Sequence, residues 1–166
     1  MRRTSFSGMR CSVARTLEIA GEWWTFLILR DLFKGVRRFD DMQRHTGIAR
    51  NILSDRLRTL VDHGIIERRP YQERPERFEY RLTEKGIDLY PVIISLMRWG
   101  DRWETDEYGP PVILTHKACG HDAMPVMACP ECGVEINARQ MTWRPSAAAV
   151  AAELDEAEAE LVSAVR

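Results

Sequence analysis

"RRFDDMQRHTGIARNILSDRLRTLVDHGIIERR", residues 37–69, decides the fold of this 166-residue chain. Its middle, "IARNILSDRLRTLVDHG", is the clearest helix in the sequence. Leu53, Leu57, Leu60 and Val61 recur at i, i+4, i+7 and i+8, one apolar stripe of helical period. Gly64 ends it. Upstream, an extended stretch leads into a brief helix with Asp40 or Asp41 as N-cap and Gly47 as its stop. Two short helices joined by a glycine turn are thereby expected.

Beyond Gly64 the period changes. "IIERRPYQ" and "FEYRL" alternate as strands do, and "ERPER" between them reads as a turn. Before residue 37, "CSVARTLEIAGEWWTFLILRDLFKG" reads as two helices. Ser12 is the expected N-cap of the first, Gly21 separates them, and Gly35 closes the second. The order is helix, helix, short extended segment, helix, helix, hairpin. That is the topology of a winged helix-turn-helix.

Thr83 then caps a long helix, "TEKGIDLYPVIISLMRWGDRWE", which Pro91 should kink or restart. Ile87, Tyr90, Ile94 and Met97 share one face. Leu89, Val92, Leu96, Trp99 and Trp103 share roughly the opposite one. A helix apolar on two faces needs two things to pack against. One is its own domain; the other is most simply a second copy of the chain, with Leu96, Trp99 and Trp103 at the contact.

Four blocks, "CSVARTLEIAGEWWTFLILRDL", "RRFDDMQRHTGIARNILSDRLRTLVDHGIIERR", "RFEYRLTEKG" and "PVIISLMRWGDRW", resemble in order and spacing the HxlR-type branch of the winged-helix regulators, relatives of the MarR group. The resemblance implies a dimeric, cytoplasmic regulator that binds double-stranded DNA. It stops near residue 108.

In such a fold the second helix of the helix-turn-helix enters the major groove. With the leucines turned inward, Asn51, Ser54, Asp55 and Arg58 face outward, and Arg50 flanks the first turn. Arg suits guanine edges and Asn suits adenine edges. Asp55 either takes a cytosine amino group or orients Arg58. Arg56 is read as a structural ion-pair partner. Arg74 and Arg77 sit at the hairpin tip, where arginine is favoured against the backbone or minor groove. Arg37, Arg38 and Arg44 are candidate phosphate contacts, which position without reading sequence.

"EYGPP" marks a boundary near residue 108. Three of the four cysteines and two of the four histidines follow within residues 115–133, "THKACGHDAMPVMACPECG". Two knuckles are legible there: Cys129-Pro-Glu-Cys132-Gly133, and His116-Lys-Ala-Cys119-Gly120, the same turn led by histidine. One histidine and three cysteines form the ligand set of a closed structural zinc site. His121 competes with His116 for the fourth place. From Pro145 an alanine-rich acidic helix is expected, capped at Ser146, with Val150, Leu154, Ala157 and Leu161 as a coiled-coil-like seam.

The expected fold class is therefore mainly α with a small β-wing (α+β): a winged helix-turn-helix for DNA binding and dimerisation over 1–108, a small zinc-ribbon-like module over 109–142, and a C-terminal helix over 143–166.

Cys11 stands alone before the first helix. In part of the family a cysteine at the matching place senses oxidants or electrophiles, and a helix N-terminus beside Arg10 and Arg15 favours the thiolate. An inert packed thiol is the competing reading. Trp23, Trp24, Phe26, Trp99 and Trp103 form an aromatic-rich set near the expected dimer interface, where relatives bind small phenolic effectors. Ordinary core packing accounts for the same residues more readily.

Composition is that of a globular protein, 45% hydrophobic and 30% charged. No apolar run approaches a membrane span, and no apolar segment follows the basic N-terminus as a secretory signal requires. The net charge of −1 hides an asymmetry. Residues 1–81 carry 17 Lys/Arg against 11 Asp/Glu, a balance of +6; residues 82–166 carry 7 against 14, a balance of −7. Only the front half suits a polyanion. No phosphate loop, nucleophile elbow or convincing pair of catalytic carboxylates is present, so an enzyme is not expected. The competing function is a basal transcription factor or polymerase-associated module, since winged helix plus zinc ribbon describes those too.

Overall fold

The computed structural model describes residues 5, 6 and 8–152. The chain divides into two compact units, Met1–Leu114 and Thr115–Arg166. The first is built from α1 (Ser12–Ala20), α2 (Trp23–Phe33), α3 (Phe39–Thr46), α4 (Arg50–Asp62), β1 (Ile66–Glu73), β2 (Glu76–Leu82), α5 (Glu84–Ile87) and α6 (Tyr90–Trp103). It is the expected helix-turn-helix followed by a two-stranded antiparallel wing.

The core forms where the apolar stripes of α2 and α4 meet. Ile28, Leu29, Met42, Ile48, Leu53, Leu57, Leu60 and Ile66 are almost wholly buried. Burying each such side chain contributes roughly 1.5–3 kcal/mol relative to exposure. Helix α2 is the hub, packing against α3, α4, β2 and α6. Its buried Asp31 accepts from Arg30 and lies 3.7 Å from His45 Nδ1 on α3.

Several boundaries differ from the expected ones. Cys11, not Ser12, is the N-cap of α1, and no side chain caps it. Arg38 is the N-cap of α3, so Asp40 and Asp41 lie in its first turn instead of preceding it. There they complement the helix dipole rather than bond to an amide. The extended residue Arg38 bridges to Glu79, and Tyr80 N donates to Arg37 O, joining this segment to the wing. The strands run further than expected. Glu73 pairs with Glu76 and Gln72 with Arg77, leaving only Arg74 and Pro75 at the tip. Arg77 is thus a strand residue.

Thr83 does cap: its Oγ1 accepts from Gly86 N at 3.2 Å. The expected long helix is split, with a break at Asp88–Leu89 and Pro91 in the first turn of α6. Proline is favoured there because its missing N–H has no helical acceptor. Ile94 is buried, while Val92, Leu96, Trp99 and Trp103 are 38–62% exposed. Leu89 departs from that exposed set and packs on the core, and Ile87 and Tyr90 are more exposed than expected.

In the second unit, Ser146 caps a helix that begins at residue 147, its Oγ accepting from Ala149 N at 3.1 Å. Leu154, Ala157 and Leu161, the rest of the expected seam, lie outside the described residues.

Candidate nucleic-acid interface

Helix α4 presents two faces. Leu53, Leu57 and Leu60 point into the core, and Asn51, Ser54, Asp55 and Arg58 are exposed. Asp55 holds two arginines: Arg56 Nη2 donates to its Oδ2 at 2.7 Å, and Arg58 Nη1 lies 3.6 Å from its Oδ1. The Arg56 side chain is only 17% exposed, in keeping with a structural ion pair. Arg58 is 67% exposed and reaches away from the core. Arg50 is more constrained than a free contact residue. Its Nη1 donates to Asp40 Oδ1 and Gln43 Oε1 on α3, and its guanidinium lies over the Phe39 ring.

Between α3, the start of α4 and the wing lies an open depression of about 490 Å³. Arg38, Arg44, Arg50, Arg68 and Arg77 line it, against Asp40, Asp41 and Glu76. Aromatic rings orient two of the arginines further: Arg38 lies 4.4 Å from the Tyr71 ring centre, and Arg68 lies 3.3 Å from that of Phe78. Such stacking fixes a guanidinium plane without neutralising its charge. Arg44 is also paired with Asp41. The structure thus brings together four residues named from the sequence, Arg38, Arg44, Arg50 and Arg77. It does not bring Arg37 to them; Arg37 lines a separate depression with Arg69 and Arg81. Arg74 stands exposed at the wing tip. Arg68 and Tyr71 were missed. Their only sequence signal is an Arg doublet beside an aromatic in a strand, and their roles depend on register.

A groove helix with exposed Asn, Ser and Arg, beside a depression rich in arginine, can meet base edges and phosphates together.

The aromatic set is not one cluster. Trp23 is 86% exposed, Trp24 and Phe26 pack against the core, and Trp99 and Trp103 stay outside on α6. Cys11 is half-buried at the start of α1.

The second unit holds two turns of the same build. His116 N donates to His121 O, and Cys129 N to Val134 O, both at 2.9 Å. Gly120 N donates to His116 O, and Gly133 N to Cys129 O. Bridges Thr115–Asp122 and Ala128–Glu135 close them, and Gly120 and Gly133 share φ near 70°. Only glycine adopts that φ readily. His116 Nδ1 lies 3.3 Å from Cys119 Sγ. The backbone amides of Cys132 and Glu131, with the Cys132 side chain, hold the Cys129 thiol below its usual pKa. Each turn pairs its own two side chains. The two pairs are not drawn together: among the described residues, no group of three or more His, Cys, Asp or Glu is assembled for a metal.

A family model described as HxlR-like helix-turn-helix matches residues 19–108. The chain is 52% identical over 134 residues to an uncharacterised HTH-type transcriptional regulator of Mycobacterium tuberculosis, covering 81% of this chain and 85% of that one. It is 37% identical over 102 residues to another from Synechocystis, covering 61% and 76%. Among solved structures, PA1607, described as a candidate transcription factor, aligns with a TM-score of 0.76 at 33% identity, covering 86% of this chain and all of that one. The oxidised form of the redox regulator HypR aligns at 0.52 and 32% identity, covering 55% and 96%. No helix among the described residues is long and apolar enough to cross a membrane. Fold, groove helix and these matches agree: the chain belongs to the HxlR-like helix-turn-helix family of transcriptional regulators.

Proposed function

We propose that the protein is a cytoplasmic homodimer that represses transcription by binding a specific operator in double-stranded DNA. The observation that carries the reading is the outward face of α4, with Asn51, Ser54 and Arg58 exposed beside the wing depression. In this reading Arg38, Arg44, Arg50 and Arg77 contact phosphates, with Arg37 and Arg74 at the margins. The exposed apolar face of α6, Leu96, Trp99 and Trp103, meets its copy in a second chain. Release from DNA follows a small aromatic effector or oxidation at Cys11, the latter supported by similarity to a redox regulator.

His116, Cys119, Cys129 and Cys132 are proposed to hold one structural zinc. The support is the equivalence of the two turns, which sets His116 opposite Cys129 and Cys119 opposite Cys132 while leaving His121 in the place of Val134. The donors suit a closed tetrahedral site. Binding would have to draw the two pairs together, so metal and order in this unit are linked.

Selection of bound sequences from a random DNA pool tests the main reading. A defined palindromic or half-site consensus is expected. Binding without sequence preference, together with capture of RNA polymerase, would favour a basal or polymerase-associated factor instead.

A further inference from the structure

The two turns of the second unit share a backbone but not a pair of side chains. Each is closed by the amide of its glycine: Gly120 N donates to His116 O at 2.7 Å, and Gly133 N to Cys129 O at 2.8 Å. The first turn sets an imidazole against a thiol, His116 Nδ1 and Cys119 Sγ. The second holds two thiols, Cys129 and Cys132. The family match ends at residue 108, so this dithiol belongs to the chain's extension and not to the shared core.

Placement sets this pair apart from the other two cysteines. Cys129 and Cys132 are the first and last residues of one tight turn, and a four-residue turn holds its end Cα atoms within about 7 Å. That is the span a disulfide bridges without backbone movement. The Cys132 side chain faces the Cys129 sulfur. Cys132 is exposed and Cys129 half-buried, so a small oxidant reaches both. Cys119 has no second thiol in its own turn, and Cys11 is the one cysteine in the sequence of the first unit.

We infer that Cys129 and Cys132 form a reversible oxidation site, which a hydroperoxide ROOH closes to a disulfide. One sulfur attacks the terminal oxygen of ROOH. The O–O bond breaks, that sulfur becomes a sulfenic acid, and the departing alkoxide takes the thiol proton to leave as ROH. The second sulfur attacks the sulfenic sulfur. The S–O bond breaks, the S–S bond forms, and hydroxide leaves with the second thiol proton as water. Two electrons pass from the two sulfurs to the peroxide. The closing step is intramolecular and lies within one turn, so it outruns further oxidation of the first sulfur. A ring this short adds little stability, and thiol reductants reopen it. Closure also takes two of the four donors from the proposed zinc, and His116 with Cys119 cannot complete a tetrahedral site. That consequence rests on the zinc reading; the dithiol itself does not.

Hydrogen peroxide on the full chain tests the site, with zinc content measured beforehand. Free thiols are then alkylated and mapped by peptide mass spectrometry, with and without dithiothreitol. Alkylatable cysteines are expected to fall from four to two, with an intrachain Cys129–Cys132 bridge and with Cys11 and Cys119 still labelled. Dithiothreitol is expected to restore all four. Cys119→Ser is expected to leave the bridge unchanged, and Cys132→Ser to abolish it and expose Cys129 to oxidation that dithiothreitol does not reverse. Free Cys129 and Cys132 beside an oxidised Cys11 or Cys119, a bridge to Cys119 or to another chain, or irreversible loss of the pair in the parent overturns the site. Release of about one zinc per bridge supports the metal consequence. A bridge that forms while zinc is retained overturns that consequence. A bridge in protein that carries no zinc supports the dithiol and is a failure of the zinc reading alone.

Discussion

Arg58 Nη1 lies 3.6 Å from Asp55 Oδ1, one turn back on the exposed face of α4. The pair is solvent-exposed, so its own contribution to stability is small. Its consequence is geometric: the carboxylate limits the directions in which the guanidinium can point. In a groove helix that restriction favours one hydrogen-bonding pose over many.

Arg58→Ala and Asn51→Ala are each expected to weaken operator binding by roughly 1–3 kcal/mol and to relax sequence preference at one position. Asp55→Ala is expected to leave the fold intact but broaden the preference read by Arg58. Competition titrations against a set of single-base operator variants measure both. Unchanged affinity and preference in the first two variants would take α4 out of the reading role.

Arg38 and Arg68, held against Tyr71 and Phe78, are expected to act differently. As phosphate contacts they carry no sequence information. Alanine at either position is expected to lower affinity for all sequences alike and to reduce the slope of log K against log salt by about 1. A change in sequence preference instead would assign them to bases.

Thr83 and Gly86 tie the wing to the helices that follow. Thr83 Oγ1 donates toward Gly64 O, 2.7 Å away, and accepts from Gly86 N. A Cβ on Gly86 would overlap Ile65 O. Thr83→Ala is expected to cost about 0.5–2 kcal/mol as a lost cap. Gly86→Ala is expected to cost roughly 1–3 kcal/mol by overpacking against backbone. Urea denaturation measures both; a Gly86→Ala variant as stable as the parent would show that this close approach relaxes freely.

The leucines of α4 and the prolyl restart at Pro91 were legible because each follows from local period or from a missing N–H. The start of α3 was not. Arg38 offers no side-chain cap, and its extended conformation is set by pairing with Glu79 across the wing. Arg68 and Tyr71 were invisible for a related reason, since stacking onto Phe78 and under Arg38 depends on strand register. A continuous helix sets Leu89 on the face of Val92, Leu96, Trp99 and Trp103, and the break before α6 turns it to the core instead. Pro111, Val112 and Leu114 fold back against α2 and α6, which no periodicity encodes.

Dimerisation is expected to run through Leu96, Trp99 and Trp103. Trp99 is 59% exposed on a helix whose other face is already packed. Trp99→Glu would place a charge without a partner at the centre of the contact, the position where interface energy concentrates. Sedimentation velocity is expected to show a dimer for the parent and a monomer for the variant. A monomeric parent at micromolar concentration would end this assignment.

The zinc reading makes the most separable prediction. Protein purified under reducing conditions without chelator is expected to carry about one zinc per chain. Cys129→Ser is expected to lose the metal and to make residues 112–140 sensitive to protease, since ligand removal uncouples the two turns. The winged helix is expected to keep its own melting transition, because its core uses Ile28, Leu29, Met42, Leu53 and Leu57 and none of the ligands. The histidines divide the hypothesis further. His116 is paired with Cys119 within one turn, while His121 supplies only the carbonyl that closes it. His116→Ala is therefore expected to weaken metal binding and His121→Ala to leave it unchanged, both read by release to a colorimetric chelator. The opposite result would transfer the ligand to His121. Metal-free protein under these conditions would leave the two turns as a hairpin scaffold, with Cys119 and Cys132 as exposed thiols serving no metal.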